Sequence, residues 1–331
     1  MARLCIIEGD GIGKEVIPAA VQVLERAIPG LEVTQAVAGW ETFTRRGVSV
    51  PAETLAAVRA SGAALFGAVS SPSRKVQGYR SAILTLRQEL DLYTNLRPVV
   101  SLPVVSPRAG IDLLIVRENT EGMYAGRERL EGDTAIAERV ITRQASYRIG
   151  RKAVELALAA GRKRLTIVHK ANVLPVTDGL FRDTVRAAAL ELDAKGHGLV
   201  VDEMLVDTAA NQLVSQPEKF EVIVTTNLFG DILSDEAAHW CGGMGLAPSL
   251  NWGPETAIAE PVHGSAPDIA GKGIANPVAA ILSGALLARY VWQLPEVAQR
   301  IEVAVRSALA LGLARTGLPT AEIARAIGER L

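Results

Sequence analysis

Short apolar runs alternate with amphipathic stretches along almost the whole chain. Residues 3–8 are a near-continuous apolar run and predict a buried strand, whereas residues 13–27 space their apolar positions three and four apart, as a helix does. Further runs at residues 31–37, 63–69, 112–116, 165–169, 199–206 and 222–226 predict strands. Helices are expected at residues 51–60, 80–90, 144–160, 177–192 and 228–240, and from Pro277 onward the pattern is helical with no strand to pair. Such alternation predicts an α/β architecture with a substantial parallel sheet. One interruption stands out. Residues 124–128 and 135–142 pattern as a strand pair joined through Glu131-Gly-Asp133, which fits both a protruding dimerisation arm and an ordinary surface hairpin.

The 331 residues suit two domains of roughly 150 residues each. With 49% apolar and 21% charged residues the chain is globular, and 4% aromatics argue against a stacking platform for single-stranded nucleic acid. A net charge of −1 offers no basic excess to follow a phosphate backbone or an anionic membrane. Two cysteines, Cys5 and Cys241, make neither a disulfide framework nor a cysteine-rich zinc site. The first apolar run is too short for a signal peptide, and the span from Pro277 to Ala288 is too short to cross a bilayer. A reducing, cytoplasmic setting is therefore expected.

Four segments carry candidate chemistry. A glycine loop, Glu8-Gly-Asp-Gly-Ile-Gly13, sits where a dinucleotide fingerprint would, but lacks the gap before the third glycine and puts Asp10 where pyrophosphate would lie. It reads better as a tightly packed strand–helix turn. Asp231 and Asp235, in Asn227-Leu-Phe-Gly-Asp-Ile-Leu-Ser-Asp235, share a helix face about 6 Å apart along the axis. A divalent cation with oxygen ligands, Mg²⁺ or Mn²⁺, would relieve their repulsion; a solvated acidic face is the alternative. Asp207 follows a predicted strand as a possible third ligand. Arg87, Arg97 and Arg117, near the ends of a helix and two strands, suit bidentate recognition of carboxylates, or else scattered surface ion pairs. Lys170 and Asn172 follow the strand ending at His169, and Tyr124 follows Glu118-Asn-Thr-Glu-Gly122, a base and a proton donor if they lie in the right company. Finally, residues 260–277 form a long Gly- and Pro-rich loop in which Asp268 would accept both hydroxyls of an adenosine ribose and repel a 2′-phosphate.

Taken in order, these segments resemble the metal-dependent β-decarboxylating dehydrogenases acting on isocitrate, 3-isopropylmalate, homoisocitrate and tartrate. The likeness runs from the glycine loop to about Arg289. Its most specific parts are Asn227–Asp235 with Gly242-Gly-Met-Gly-Leu246, and His263-Gly-Ser-Ala-Pro-Asp268. The resemblance implies an isopropylmalate-dehydrogenase-like fold that is not Rossmann, with two domains sharing a long sheet: residues 1–98 plus 249–331, and residues 99–248. It also implies a homodimer, or a tetramer, with shared active sites. Arg87, Arg97 and Arg117 match the grips on a malate-like head, and Tyr124 the general acid. Lys170, Asn172 and Asp207 match residues contributed by a partner subunit, with Asp207, Asp231 and Asp235 as ligands of Mg²⁺ or Mn²⁺. His263, Gly264, Ala266, Asp268, Ile269 and Asn276 match the adenosine pocket, and Asp268-Ile269 resembles users of NAD rather than NADP. After Leu311 the usual Asp-Leu-Gly-Gly segment is missing.

The substrate turns on the arm at C3. Leu84 is apolar where isocitrate users place a polar contact, so isocitrate is expected to be poor. The loop Ser71-Pro-Ser-Arg74-Lys75-Val-Gln-Gly-Tyr79-Arg80 resembles that of homoisocitrate dehydrogenases. Leu84 would then cover the two-carbon stem, worth about 0.8 kcal/mol per buried methylene, with Ser71 and one of Arg74, Lys75 or Arg80 at the distal carboxylate. Homoisocitrate is the expected substrate, giving 2-oxoadipate and CO₂ in lysine biosynthesis, ahead of isopropylmalate.

Overall fold

The computed structural model describes every residue except Lys75, Ala194, Lys195 and His197. In chain order the first elements are β1 (Arg3–Gly9), α1 (Gly13–Ala27), β2 (Glu32–Ala36), α2 (Trp40–Arg46), α3 (Ala52–Ser61), β3 (Ala63–Ala68) and α4 (Ala82–Glu89). Next come β4 (Thr94–Val100), β5 (Asp112–Glu118), β6 (Glu128–Glu131), β7 (Thr134–Ala137), α5 (Arg143–Ala159), β8 (Arg164–His169) and α6 (Thr177–Leu192). Then follow β9 (Val200–Leu205), α7 (Val206–Ser215), β10 (Val222–Thr225), α8 (Asn227–Ala237), β11 (Pro248–Trp252) and β12 (Ala257–Pro261). The chain ends in α9 (Val278–Leu286), α10 (Pro295–Ala310) and α11 (Thr320–Gly328).

Packing divides the chain into two units. The first comprises Met1–Leu92, Ser101–Ala109 and Ala238–Leu331. Its strands run in the order β2-β1-β3-β12-β11, parallel except for the antiparallel β11–β12 pair. Every residue of β3 and β12 is buried, which is why β3 reads as an unbroken apolar run. All of α9 is buried too, a helix without a polar face at the centre of its layer. Helix α1 packs against it with Val16, Ile17, Ala20 and Leu24 inward.

The second unit comprises Tyr93–Val100 and Gly110–Ala237. Its order is β4-β5-β10-β8-β9, with β4 antiparallel to β5 and the rest parallel. Helix α5 begins at a Thr142 cap, whose hydroxyl accepts from the Ala145 amide at 3.1 Å, and packs along α6.

Several expectations need correction. The strand pair exists, but as the shorter β6 and β7 around Gly132 (φ +60°), and Tyr124 lies instead in a 3₁₀ turn, Met123–Ala125. Helix α8 stops at Ala237, with a 3₁₀ turn continuing to Cys241. Arg97 stands in the middle of β4, not near its end. The elements α2, β4, α7, β11 and β12 were not anticipated. The glycine loop is structural, as read: a Cβ on Gly9 would lie 2.1 Å from the Ala68 carbonyl oxygen, and one on Gly13 would lie 2.0 Å from that of Glu8. Asp10 is spent on backbone, accepting from the amides of Trp40 at 2.8 Å, Glu41 at 3.0 Å and Ser70 at 3.0 Å.

Candidate active site

In the second unit an ionic cluster forms where α8 packs against β5. One carboxylate oxygen of Asp231 takes the Arg117 guanidinium, and the other accepts the hydroxyl of Tyr124. Arg117 is 1% exposed, so its charge depends on these partners rather than on water. The side-chain oxygen of buried Asn227 accepts from Arg117 Nε at 3.1 Å and from its NH2 at 2.7 Å. The Asn227 amide donates to the Glu121 carbonyl at 3.1 Å, fixing the segment that leads to Tyr124. The Tyr124 ring lies 5.2 Å from the guanidinium, in cation–π range. Gly230 makes room for all this, since a Cβ there would sit 2.6 Å from Arg117 Cγ.

Arg97 donates from Nε to Asn95 at 2.7 Å and faces Asp235 at 3.5 Å. Partial burial pushes the Asp235 carboxyl up, and the charge of Asp231 adds to that, while Arg97 and Arg117 pull the other way. Two carboxylates a turn apart, one raising the other, with oxygen donors only, fit a hard divalent cation. Asp207 does not join them in this chain. It lies in the first turn of α7, paired with Lys170 Nζ, which holds its carboxyl below the ordinary range. Among the described residues no group of three His, Cys, Asp or Glu side chains gathers as a metal centre. Lys170 follows directly on β8, and Asn172 beyond it is exposed.

In the first unit Arg87, on α4, is 5% exposed and donates from Nε to Asn251 at 3.0 Å and from NH2 to Glu260 at 3.1 Å. Asn251 donates to the same Glu260 oxygen at 2.8 Å. The three arginines are thus buried and paired, not scattered surface charges. Leu84 is half-buried on α4 and Ser71 is exposed. Arg80 donates to Gln88 at 2.8 Å, Arg74 is exposed, and Lys75 lies outside the described residues.

The loop between β12 and α9 holds its shape through backbone. The Ser265 carbonyl accepts from the Ile12 amide at 3.0 Å, and Ala266 (φ +39°) opens a turn that the Ile269 amide closes at 3.1 Å. His263 Nε2 is buried without a hydrogen-bond partner, and burial pushes the imidazole below its ordinary range. Gly264 and Asp268 are exposed, with open space where a Cβ on Gly264 would point; Ile269 is half-buried. An orphaned ring nitrogen and an exposed carboxylate in the same loop are groups that suit the polar edge of an adenosine. Asn276 is committed to the scaffold, its amide donating to Ala314 at 3.0 Å and its oxygen accepting from Val278 at 3.0 Å.

Sequence reasoning passed over Asn95, Asn227, Asn251 and Glu260, the residues that hold the arginines. Asn95, Asn251 and Glu260 are buried polar residues inside strands and Asn227 opens α8, positions that carry no periodic signal.

An acidic helix face held by arginines and a small-residue loop before a helix are thus set out in the two units, and likeness to known proteins gives them a family. The family described as isocitrate/isopropylmalate dehydrogenase matches residues 3–327, and the chain belongs to it. The isocitrate/homoisocitrate dehydrogenase of Thermus thermophilus is 57% identical over 310 residues, covering 94% of this chain and 91% of the relative. The 3-isopropylmalate dehydrogenase of Methanothermobacter thermautotrophicus is 46% identical over 334 residues, covering 99% and 98%. The crystal structure of isocitrate dehydrogenase from Methylococcus capsulatus superposes with a TM-score of 0.93 at 41% identity, covering 100% of this chain and 99% of that one. The protein is an enzyme of the β-decarboxylating dehydrogenase family, with that family's α/β fold. Among the described residues no helix is long and apolar enough to cross a membrane.

Proposed function

We propose that this chain oxidatively decarboxylates homoisocitrate to 2-oxoadipate and CO₂, with NAD⁺ and Mg²⁺ or Mn²⁺, as a homodimer whose subunits share their active sites. The observation that carries the reading is the placement of Tyr124 and Arg117 on the two oxygens of Asp231. It sets a proton donor, a carboxylate grip and a metal-binding oxygen on one another. Asp231 and Asp235 hold the cation, with Asp207 from a partner subunit completing the set.

Arg87, Arg97 and Arg117 bind the carboxylates of the malate head, orienting C2 and C3. Lys170, supplied across the dimer beside Asn172, takes the proton of the C2 hydroxyl. When bound, the cation polarises the C2 oxygen and the dinucleotide accepts the C2 hydride. The carboxylate at C3 is then β to a carbonyl; its loss as CO₂ leaves an enolate, and Tyr124 protonates C3. His263, Gly264, Ala266, Asp268 and Ile269 receive the adenosine, Asp268 discriminating against a 2′-phosphate by charge. Asn276 acts there through the backbone it fixes.

Leu84 covering a methylene stem favours homoisocitrate over isocitrate, and the 57% identical relative carries homoisocitrate in its name. The same name carries isocitrate, which makes that acid the second reading; isopropylmalate follows. The test is relative kcat/KM on the three acids with NAD⁺ and Mn²⁺. Homoisocitrate should lead, and a clear preference for either rival overturns the substrate while leaving the reaction class intact.

A further inference from the structure

Arg139 and Asp178 belong to none of the groups discussed so far, yet both are withdrawn from water, and a buried ion pair needs a reason. Asp178, in the first turn of α6, is 0% exposed. One of its oxygens accepts the Lys170 backbone amide at 2.6 Å and the other takes Arg139 NH1. Arg139 then reaches in two further directions. Its NH2 donates to the Thr226 hydroxyl at 2.9 Å, and its guanidinium lies 4.9 Å from the Phe229 ring, at the start of the helix that carries Asp231. Its backbone neighbour Val140 pairs with Gly122, the residue that opens the turn bearing Tyr124, through hydrogen bonds of 2.8 and 3.3 Å. Arg139 thus joins the Lys170 turn and the head of α8 through its guanidinium, and the Tyr124 turn through the backbone of its neighbour Val140.

We propose that the Arg139–Asp178 pair is a positioning node that sets Lys170 and, through α8 and the Gly122–Val140 bridge, the Tyr124–Asp231 pair. The proposal rests on the functional reading above, and it adds a consequence. Lys170 serves a neighbouring site while Tyr124 and Asp231 serve their own, so a single buried ion pair in each subunit links the machinery of two active sites. Asp178 keeps the Lys170 amide from turning, and with it the direction in which the lysine leaves the strand. Neither residue touches substrate in this arrangement.

The test uses Asp178→Asn and Arg139→Lys in the full-length protein, isosteric or charge-conserving changes chosen to preserve folding. The readouts are melting temperature, steady-state constants and backbone amide exchange. Each folded variant should lose tenfold or more in kcat, with KM for NAD⁺ within about twofold of the native value. Amide exchange should accelerate over residues 169–173 and, separately, over residues 122–125 and 226–231. A folded variant with native kcat overturns the proposal. So does exchange that rises only at the start of α6, since a merely local packing role predicts that. If the native enzyme turns over none of the three acids, the functional reading fails on its own, and the exchange pattern still decides whether the node links the segments.

Discussion

The cluster around α8 and the loop before α9 solve opposite problems. Around Asp231 every charge already has a polar partner in place: Arg117 on one oxygen, the neutral hydroxyl of Tyr124 on the other, the amide oxygen of Asn227 behind the guanidinium and Arg97 toward Asp235. The groups hold one another in place, so a cation or a substrate carboxylate exchanges one of these contacts for another and does not assemble the cluster anew, which is the preorganisation under which fixed charges accelerate a reaction most. The loop is held by backbone hydrogen bonds and leaves a buried imidazole nitrogen unsatisfied. A preorganised charge cluster and a shaped but incomplete loop should respond differently to mutation, to ligand and to pH.

The largest effect is expected at Arg117. Arg117→Met leaves Asp231 and Asn227 without their partner, and breaking a buried ion pair costs about 3 kcal/mol or more. Activity should fall by about a thousandfold or more, with a lower urea midpoint at unchanged slope. Gly230→Ala tests the same cluster without removing a charge. A Cβ there would displace Arg117, so a loss of about 1–3 kcal/mol and a clear drop in kcat/KM are expected. If Gly230→Ala behaves like the native protein in both assays, the cluster is not preorganised in the sense argued.

Next comes the carboxylate pair. Asp231→Asn should abolish turnover while the fold persists, and chelation should do so reversibly. Mn²⁺ binding followed by water-proton relaxation should weaken in the same variant. Full activity in excess chelator removes the metal from the reading.

The contrast also explains how much of the molecule was legible beforehand. Strands β1, β3, β8 and β10 are buried on both faces and announce themselves as apolar runs. Strands β4 and β11 do not, because Asn95 and Arg97 in one, and Asn251 in the other, are buried polar residues that grip charges, while Ser249 beside them holds the Glu260 backbone carbonyl. Polar side chains at alternate positions erase the apolar signal of a strand just where it builds a site. Asp231 and Asp235 stood out as candidates from type and spacing, whereas Arg117 and Tyr124 took specific roles only through the family resemblance. Their supports, Asn227 and Glu260, were not readable, since an amide or a carboxylate that serves another side chain has no periodic signature. In the hairpin, Gly132 fixed the turn, but four-residue strands exposed on both faces gave no pattern from which to set their ends.

A smaller effect is expected in the loop. Asp268 is exposed, so its charge acts through water and is screened by salt. Asp268→Lys should narrow the preference for NAD⁺ over NADP⁺ by about tenfold, some 1.4 kcal/mol. The shift should shrink at high ionic strength, and melting temperature should not move. Comparable use of both cofactors by the native enzyme would show that this carboxylate does not discriminate.

The smallest effect is also the one that isolates the loop most directly. Burial pushes His263 below its ordinary range, and His169, at the end of β8, is lowered for the same first reason, with Glu203 opposing. A histidine lowered in the folded state binds fewer protons there than in the unfolded chain. Each therefore contributes stability that is complete above the unfolded value, about 6.5, and is lost as pH falls below it. The melting temperature should drop on going from about pH 8 to about pH 5, and His263→Gln and His169→Gln should each flatten part of that slope. Ligand then divides the pair. A dinucleotide that satisfies His263 Nε2 changes the protonation preference of that ring alone, so NAD⁺ should alter the pH slope of the native protein and of His169→Gln, but not that of His263→Gln. A slope that responds to NAD⁺ equally in both variants would mean that the orphaned nitrogen of the loop is not where the cofactor is felt.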